Sequence, residues 1–375
     1  MRIMNGYIYG RPEWPAFEWN NDTLVQVLGR VRHLQGRLSG KMEALGFTFR
    51  DEANLANLTL DVVRSGEIEG EKLDSDQVRS SVARHLGMDI AGLIPSDRNV
   101  DGVVEMTLDA IRNFKDPLTV ERLFSWHSLL FPDGMSGNLK IVTGRWRDDS
   151  TGPMQVVSGP MGQERVHFQA PPAEGLGNEM NSFLNWLNSA PDTDAVIKAG
   201  VGHLWFVTVH PFEDGNGRIA RVIADMLLAR AEESDRRFYS MSSQIRTDRK
   251  KYYAVLEKTQ KGNLDITHWL EWFLDCLESA LKKAEEVLSA VLYRSSFWNM
   301  NISVQFNPRQ RLMLNRLLEG FTGKLTTAKW AKITGSSADT ALRDIQDLIE
   351  KGILLRDSPG GRSTSYTLSH QPPQP

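Results

Sequence analysis

The stretch His210-Pro-Phe-Glu-Asp-Gly-Asn-Gly-Arg-Ile-Ala-Arg221 brings a histidine, two acidic residues, a glycine-rich turn and two arginines into twelve consecutive positions. An apolar run, Val201 to Val209, precedes it, and a helical pattern follows from Ile219 to Ala231. The segment therefore predicts an apolar helix, a short turn and a second helix that begins near the glycines.

The residue types in this stretch are those that phosphate chemistry requires. Backbone N–H groups at a glycine-rich turn that opens a helix bind anions. Arg218 and Arg221 add forked donors that suit phosphate oxygens. Asp214 is placed as a Mg²⁺ ligand, because Mg²⁺ is usually held by one or two carboxylates together with phosphate oxygens. His210 supplies a base that works near neutral pH. The stretch therefore predicts chemistry on nucleotide phosphates.

Composition sets the broad class of protein. The chain has 375 residues, of which 24% are charged, and a formal net charge of -3. This length predicts two or three domains that each bury a core, and the overall charge does not favour a polyanionic partner. The N-terminus lacks the apolar core of a signal peptide, and no apolar run approaches the roughly 20 residues that span a bilayer. We expect a cytoplasmic protein without a membrane partner.

Other site classes are excluded by what the sequence lacks. Cys276 is the only cysteine, so a disulfide framework is excluded, and its apolar surroundings predict a buried side chain rather than a reactive thiol. A Walker motif is missing, which argues against a P-loop NTPase. The other histidines that we considered show no zinc-like spacing and are left unassigned: His85, His127, His167, His203 and His268.

Helical periodicity dominates the chain, so we expect a mainly α fold with three domains. Residues 1–95 form an N-terminal helical domain, in which a helix over about 52–70 ends at Gly70 as its C-cap. Residues 96–295 form a helical core with a β-hairpin at 153–170. Residues 306–370 read as a helix-turn-helix followed by a two-stranded wing, with a turn at Ser358-Pro-Gly-Gly361.

The motif that ends at Arg221 resembles the signature of Fic-domain proteins, His-x-Phe-x-(Asp/Glu)-Gly-Asn-Gly-Arg-x-x-Arg, at every fixed position. Trp14-Pro-Ala-Phe-Glu-Trp19, with the basic amphipathic helix after it, is similar to the N-terminal domain of many bacterial members. The hairpin at 153–170, flanked by Gly144-Arg-Trp-Arg147 and Ala170-Pro-Pro172, resembles the family's substrate-positioning flap. A C-terminal winged helix is also common among these members. The resemblance covers nearly the whole chain.

The resemblance implies a protein adenylyltransferase that moves AMP from ATP to a Ser, Thr or Tyr hydroxyl of a target protein, and to itself, with release of pyrophosphate. His210 would be the base and Asp214 the Mg²⁺ ligand. Arg218 would bind the α/β region and Arg221 the γ-phosphate. Main-chain N–H groups would bind the phosphates, with help from the Asn216 amide, over Gly215, Asn216, Gly217, Arg218, Ile219 and Ala220. The target would add as a strand to the flap.

Four further residues, within the motif or after it, have roles of their own. Tyr253 and Gln260 match the family's adenine-contacting aromatic and amide positions, although many members carry Asn at the second. The alternative is a helix whose packed face includes Tyr253, Leu256 and Gln260. Phe212 is expected to be a packing anchor, and Glu213, at the variable position, is expected in solvent.

A second family pattern, (Ser/Thr)-x-x-x-Glu-(Gly/Asn), matches Ser65, Glu69 and Gly70. Its position ahead of the core resembles members in which a helix of the same chain inhibits transfer. The Glu69 carboxylate would pair with Arg221 and keep the γ-phosphate from docking productively. Some members use the same carboxylate to remove AMP, and this reverse activity is left open.

Two other functions remain as alternatives. The first is a DNA-binding regulator, since basic residues outnumber acidic ones by four over 307–368. The expected recognition helix carries Asp339, Asp344, Asp347 and Glu350, which would repel DNA phosphates, so protein docking or homodimerisation is a further alternative for this domain. The second is transfer of another phosphate-linked group, because relatives move phosphate, UMP or phosphocholine.

Overall fold

A computed structural model describes residues 6–43, 47–88, 92–150, 152–159, 162–163, 165–190, 193–318, 321, 323–357 and 364–369. Its contacts divide the chain into two compact units, Met1–Lys282 and Lys283–Pro375. The turn expected at 358–361 lies wholly outside the described residues.

The first unit is mainly helical. Its helices are α1 Asn21–Glu43, α2 Phe47–Glu69, α3 Ser75–His85, α4 Arg98–Arg112, α5 Val120–Leu130, α6 Leu176–Asn188, α7 Ala195–Val209, α8 Asn216–Glu232, α9 Met241–Thr247 and α10 Arg249–Gln260. A further helix, α11 Thr267–Met300, continues past the end of this unit. Short antiparallel hairpins join β1 Met135–Ser136 to β2 Leu139–Lys140, and β3 Gln155–Ser158 to β4 Arg165–Gln169.

Helix α7 is the centre of this unit, because its residues are buried on every side from Val196 to Val209. An α-helix that is apolar all round belongs in a core rather than at a surface. Two glycines let neighbouring helices approach it closely: a Cβ at Gly200 would lie 2.9 Å from Leu270, and one at Gly202 would lie 2.9 Å from Leu227. The core thus fixes the position at which α7 ends.

Helix α2 belongs to the same compact unit as α7 and α8. The domain boundary expected near residue 95 stays a prediction. Buried hydrogen bonds hold α2 in this unit. The Asp61 carboxylate accepts hydrogen bonds from Ser240 Oγ at 2.6 Å and Ser242 Oγ at 3.1 Å. About two helical turns upstream, Asn54 Oδ1 accepts a hydrogen bond from the backbone N–H of Arg237 at 3.2 Å. These bonds fix α2 against the segment that follows α8.

The hairpin β3–β4 lies where the sequence predicts one, within 153–170. Its register runs Gln155↔Gln169 and Val156↔Phe168 and then slips to Val157↔Val166, which leaves His167 as the extra residue of a β-bulge. A bulge re-aims a side chain and bends the strand that carries it. His167 is thereby directed toward helix α10, as described below.

The second unit contains α12 Pro308–Leu318, α13 Thr327–Thr334 and α14 Ala338–Glu350, followed by the antiparallel strands β5 Leu354–Arg356 and β6 Tyr366–Leu368. Trp330 is fully buried at the centre of its core, with Met313 and Ile345. Gly335 ends α13 at φ 62°, and the Ser337 hydroxyl caps α14. The winged helix-turn-helix assignment stays a prediction.

The acidic residues of α14 are placed differently from the expectation. Asp344 is buried, and its carboxylate accepts hydrogen bonds from Arg309 at 2.7 and 3.0 Å and from Asn307 at 2.7 Å. Asp347 accepts from Gln310 and from Lys351. The Asp344 carboxylate thus faces the start of α12, and the Asp347 carboxylate is paired with Gln310 of α12 and with Lys351 just after α14. Neither presents the free negative charge that the sequence suggested.

Two further expectations concern Cys276 and membrane-spanning helices. Cys276 is buried, as predicted, and burial raises the pKa of its thiol. Over the described ranges, every helix is too short or too polar to cross a bilayer.

Candidate active site

His210 lies directly after the buried helix α7, in the left-handed conformation at φ 52°. Its backbone N–H donates to Phe206 O at 3.0 Å, which closes the helix. Its ring Nδ1 lies 3.1 Å from Val207 O. Because a carbonyl oxygen only accepts, Nδ1 carries the proton and Nε2 is the basic nitrogen. Burial lowers the pKa of His210 to about 4, so its imidazole is neutral at pH 7.

The turn after His210 requires glycine at position 215. Gly215 has φ 80°, and a Cβ there would lie 2.9 Å from Phe131 and 3.1 Å from Leu130. Helix α8 begins at the next residue, Asn216. Only a residue without a side chain fits this conformation in this space. The glycine therefore lets the chain turn sharply into α8.

The anion-binding N–H groups are fewer than the predicted six. The N–H of Gly215 donates to the Asp214 carboxylate at 2.6 Å, and that of Ile219 donates to Gly215 O at 3.0 Å as the first bond of the helix. Ala220 lies one residue further into the helix, where N–H groups bond to the preceding turn. The N–H groups left for an anion are those of Asn216, Gly217 and Arg218, which we call the cradle.

The structure corrects the expected role of the Asn216 side chain. Its Oδ1 accepts from the N–H of Phe212 at 2.9 Å, and its Nδ2 donates to Phe212 O at 2.8 Å. Asn216 is buried, so its amide fixes the turn and does not extend toward phosphate. Phe212 itself is fully buried, which confirms that it is a packing anchor.

The Asp214 carboxylate is fixed by neighbours that the sequence did not single out. Besides the bond from Gly215, its Oδ2 accepts from the Ser136 hydroxyl of β1. The fully buried ring of His127 stacks on Phe212 with centroids 4.1 Å apart. Its Nδ1 accepts from the N–H of Gly144 at 3.2 Å, so Nε2 carries the proton and donates to Asp214 O at 3.2 Å. His127 thus joins α5 and the segment before β3 to the turn.

The sequence suggested that Glu213 lies free in solvent, and the structure shows that it does not. It is half-buried, and its Oε2 accepts a hydrogen bond from the N–H of Val142 at 3.0 Å. The side chain at the variable position of the motif therefore holds the segment that follows β2.

Arg147 is a further residue that the motif alone does not indicate. Its Nε donates to His210 O at 2.8 Å and its guanidinium also donates to Pro171 O at 2.5 Å, while Asp149 pairs with it at 2.8 Å. The arginine is buried. It therefore connects the backbone of His210 to the segment that follows β4.

Arg221, on α8, is surrounded by the last turns of α2. Its Nη1 forms an ion pair with Glu69 Oε1 at 2.8 Å, its Nε donates to Ser65 Oγ at 2.9 Å, and its Nη2 donates to Ser65 O at 3.1 Å. Arg221 is 3% exposed, whereas the Glu69 side chain is 31% exposed. The two residues of the second family pattern therefore converge on the second arginine of the motif.

The end of α2 is a Schellman cap. Gly70 has φ 89°; its N–H donates to Glu67 O at 3.2 Å, and the N–H of Glu71 donates to Gly66 O at 3.0 Å. Glu71 then forms an ion pair with Arg218 Nη1 at 2.6 Å, a contact that the sequence pattern did not indicate. Both arginines of the motif are thus paired with acids from this one cap.

Of the two adenine-site residues predicted, Tyr253 lies at the site and Gln260 lies in the core. The Tyr253 hydroxyl donates to Glu69 Oε2 at 3.2 Å, and burial, reinforced by Glu69, raises the pKa of Tyr253 to about 12. Gln260 is buried, and its amide donates to Thr208 Oγ1 at 3.3 Å. An amide bonded inside the core does not face a ligand, so the packing alternative is favoured for Gln260.

The bulged His167 ties the hairpin to α10. Its Nδ1 lies 2.8 Å from Glu257 Oε2, and its Nε2 lies 2.6 Å from Ser158 Oγ of β3. Arg165 and Lys261 also pair with Glu257, and hydrogen bonds from Lys261 and His167 lower the pKa of Glu257 to about 2. The hairpin is therefore anchored at its second strand, while three of the four residues of β3 are exposed.

Known proteins resemble the part of the chain that contains this site. Residues 117–228 match the Fic/DOC family, and residues 7–88 match a domain of unknown function, DUF4172. A protein adenylyltransferase Fic of Aedes aegypti is 36% identical over 122 residues, which cover 32% of this chain and 23% of that protein. A probable protein adenylyltransferase of Aquifex aeolicus is 28% identical over 103 residues, which cover 28% of this chain and 30% of that protein. The matched region is thus under a third of each relative.

Solved structures share the fold. A Fic family protein from Desulfovibrio desulfuricans G20 covers 93% of this chain and 96% of its own, with a TM-score of 0.51 and 21% identity. A Fic domain containing signaling protein from Bacteroides thetaiotaomicron covers 69% of this chain and 97% of its own, with a TM-score of 0.51 and 18% identity. The fold is thus that of Fic proteins, and the whole motif from His210 to Arg221 lies inside the part of the chain, 117–228, that matches the Fic/DOC family.

Proposed function

We propose that the protein is an adenylyltransferase that moves AMP from ATP to a hydroxyl of a Ser, Thr or Tyr side chain on a target protein and on itself. The observation that carries the proposal is the state of His210. Its Nδ1 proton is committed to Val207 O, so Nε2 is the basic nitrogen. The ring stays neutral at pH 7, and His210 directly precedes the turn that leads into the cradle. The names of the sequence relatives support the same activity.

In the proposed step, the target hydroxyl oxygen attacks the α-phosphorus of ATP. A bond forms between this oxygen and the α-phosphorus, the bond from the α-phosphorus to the α–β bridging oxygen breaks, and pyrophosphate leaves. His210 Nε2 takes the hydroxyl proton, since an alcohol is a poor nucleophile while it keeps that proton. The cradle N–H groups stabilise charge on the phosphate oxygens with little reorganisation. Arg218 and Arg221 would bind the α/β and γ regions respectively.

Asp214 is the residue proposed to hold Mg²⁺. The donor set fits this ion, because one carboxylate beside a phosphate site is a common way in which Mg²⁺ is held. Within the described ranges, no cluster of three or more His, Cys, Asp or Glu side chains is arranged to bind a metal, so the remaining ligands would be phosphate oxygens and water. When bound, Mg²⁺ neutralises charge that develops on the leaving pyrophosphate. Ser136 and Gly215 keep the carboxylate oriented for this role.

Glu69 is proposed to inhibit the transfer. Its carboxylate pairs with Arg221 and would compete with the γ-phosphate for that arginine. Ser65 adds two contacts that hold Arg221 toward α2. A carboxylate at this place also repels a triphosphate. In this proposal the inhibited state is the one that the structure describes, and AMP removal through Glu69 stays an open alternative.

The target is proposed to bind at the hairpin that we call the flap, β3–β4. Three of the four residues of β3 are exposed, and among the described strands β3 pairs with β4 alone, so its other edge can receive an extended peptide through main-chain hydrogen bonds. This mode reads little of the target's sequence, and the target stays unidentified. The cytoplasmic location and a homodimeric state stay predictions as well.

Incubation with α-labelled ATP, GTP, CTP or UTP tests the proposal, with the intact chain, the Glu69→Gly variant and a Glu69→Gly, His210→Ala variant compared. The expected result is ATP-dependent labelling of protein hydroxyls in the Glu69→Gly sample and none above background without His210. Mass spectrometry would find AMP on the labelled residue. Label from another nucleotide, or a phosphate or phosphocholine adduct, would replace AMP transfer with another group transfer.

We also retain duplex DNA binding by the second unit as a separate function. The observation in its favour is that Asp344 and Asp347 are paired inside the unit, which removes half of the acidic residues expected to repel DNA from α14. Binding of the protein to duplex DNA that weakens steeply as the salt concentration rises would support this function. Binding that does not depend on salt, or none at all, would favour protein docking.

A further inference from the structure

We propose that Glu71 is a further residue of the nucleotide site. In the absence of nucleotide its carboxylate pairs with Arg218, and this pairing lowers the affinity for nucleotide. The inference rests on the function proposed above, because it takes Arg218 as a phosphate-binding residue. It assigns to Glu71 a role separate from that of Glu69, which faces the other arginine.

The contact itself is well defined. Arg218 Nη1 lies 2.6 Å from Glu71 Oε2, and the Arg218 side chain is 8% exposed while that of Glu71 is 37% exposed. The Arg218 guanidinium also lies over the Phe131 ring, at 4.9 Å from its centroid. An arginine with one face on a ring and its edge on a carboxylate has little freedom to meet a phosphate unless the carboxylate leaves.

The Schellman cap at the end of α2 sets the position of Glu71. Gly70, at φ 89°, reverses the chain, and the bond from Glu71 N–H to Gly66 O at 3.0 Å fixes the backbone of Glu71 on the end of α2. The same cap places Glu69 on the other side of Gly70. Two carboxylates flanking one glycine therefore face two arginines spaced one helical turn apart on α8.

This pairing has a consequence for nucleotides of different length. Glu69 competes for Arg221, the proposed γ-phosphate ligand, so its removal should favour ATP over ADP. Glu71 competes for Arg218, the proposed α/β ligand, so its removal should improve ADP and ATP equally. A residue that only stabilised the cap would change the unfolding temperature and leave both affinities unchanged.

Calorimetry on the full chain with ADP and with ATP, both in EDTA, tests the proposal in Glu71→Gln, Glu69→Gly and the combined variant. Glu67→Gln is the matched control, since Glu67 lies one turn earlier and pairs with Arg64 and Arg246 away from the motif. We expect Glu71→Gln to raise the affinity for both nucleotides about fivefold, alone and in the Glu69→Gly background, which is the lower end of the usual range for coupling between sites.

Unchanged ADP affinity in folded Glu71→Gln protein of both backgrounds, with clear nucleotide binding by Glu69→Gly, would overturn the role of Glu71 and leave the proposed function standing. An equal gain in the Glu67→Gln control would overturn it too, because the effect would then be one of general charge. If folded Glu69→Gly protein binds neither nucleotide, the nucleotide site itself is refuted, and the role of Glu71 with it.

Discussion

The Glu69 carboxylate lies against the Cα of Gly217, so closely that a Cβ built on Gly217 would overlap Glu69 Oε1. Gly217 supplies one of the three N–H groups of the cradle. Glu69 therefore does more than neutralise Arg221: its carboxylate lies beside the helix N-terminus that would receive phosphate. In the proposed function, Glu69 and the triphosphate would compete for the same positive potential.

Replacing Glu69 by glycine should raise AMP transfer about 100-fold, which corresponds to about 2.7 kcal/mol of restraint. The variant removes both the ion pair with Arg221 and the negative charge beside Gly217. Initial rates of label transfer from α-labelled ATP measure the change. Glu69→Gln should give a smaller gain, because its amide keeps the bulk while losing the charge. Equal or slower transfer by folded Glu69→Gly would contradict inhibition.

Replacing His210 by alanine in the Glu69→Gly background should lower transfer by about 10²- to 10⁴-fold, the usual contribution of a general base. ATP affinity should stay nearly unchanged, since Nδ1 bonds to Val207 and the ring makes no part of the cradle. Parallel rate and calorimetric measurements separate the two effects. A matching loss of ATP affinity would mean that His210 binds the nucleotide instead.

Replacing His127 by phenylalanine should keep the ring stacked on Phe212 and remove both of its polar contacts, to Gly144 N and Asp214 O. The Asp214 turn then loses one of its fixed points. We expect about tenfold weaker Mg²⁺ binding by the ADP-loaded Glu69→Gly protein, as for other outer-shell changes. Mg²⁺ titration followed by calorimetry gives this affinity directly, and ADP binding in EDTA is the control. Unaltered Mg²⁺ affinity would reduce His127 to a packing role.

Replacing Arg147 by lysine should lower the transfer rate about tenfold without weakening ATP binding. Lysine keeps the positive charge but not the fork that bonds to both His210 O and Pro171 O. The base and the flap would then lose their common fixed point. Single-turnover transfer rates at saturating ATP provide the measurement, and an unchanged rate would show that charge alone is sufficient at this position.

Stability should fall as pH drops from 7 to 5. Burial lowers the pKa of His127 and of His210 to about 4, and that of His203 to about 3. These values lie below the 6.5 of an unfolded histidine, so the unfolded chain binds more protons in this window and is favoured as pH falls. Each histidine contributes up to about 2 kcal/mol. Urea unfolding at several pH values measures the slope, which should be shallower in His203→Phe; a flat profile would contradict neutral buried rings.

Much of the site follows from the sequence because the motif is local. Gly215 and Phe212 have roles that chain geometry dictates within a few residues, and the α2 cap at Gly70 is signalled by its glycine. The prediction is weaker where partners are distant. His127 is 87 residues from Asp214, and Arg147 is 63 residues from His210, so nothing in local spacing indicates either contact.

The errors have a common physical cause. Asn216 and Gln260 carry amides that suit a ligand equally well as a backbone or core partner, and pattern alone does not decide between them. In both cases burial decides for the protein's own groups. Asp344 is a similar case, since a helical sequence does not reveal that its carboxylate is buried against Arg309 and Asn307. Asp347 instead pairs at the surface with Lys351, four residues on.

Buried bonds to Asp61 and Asn54 fix α2 upstream. Its last turn is held by the two arginines of the motif, by its own cap, and by Arg249 and Tyr253, which both donate to Ile68 O. In the proposed function, displacement of this last turn would free both guanidinium groups, so an activating partner would need to contact only the residues around Gly70.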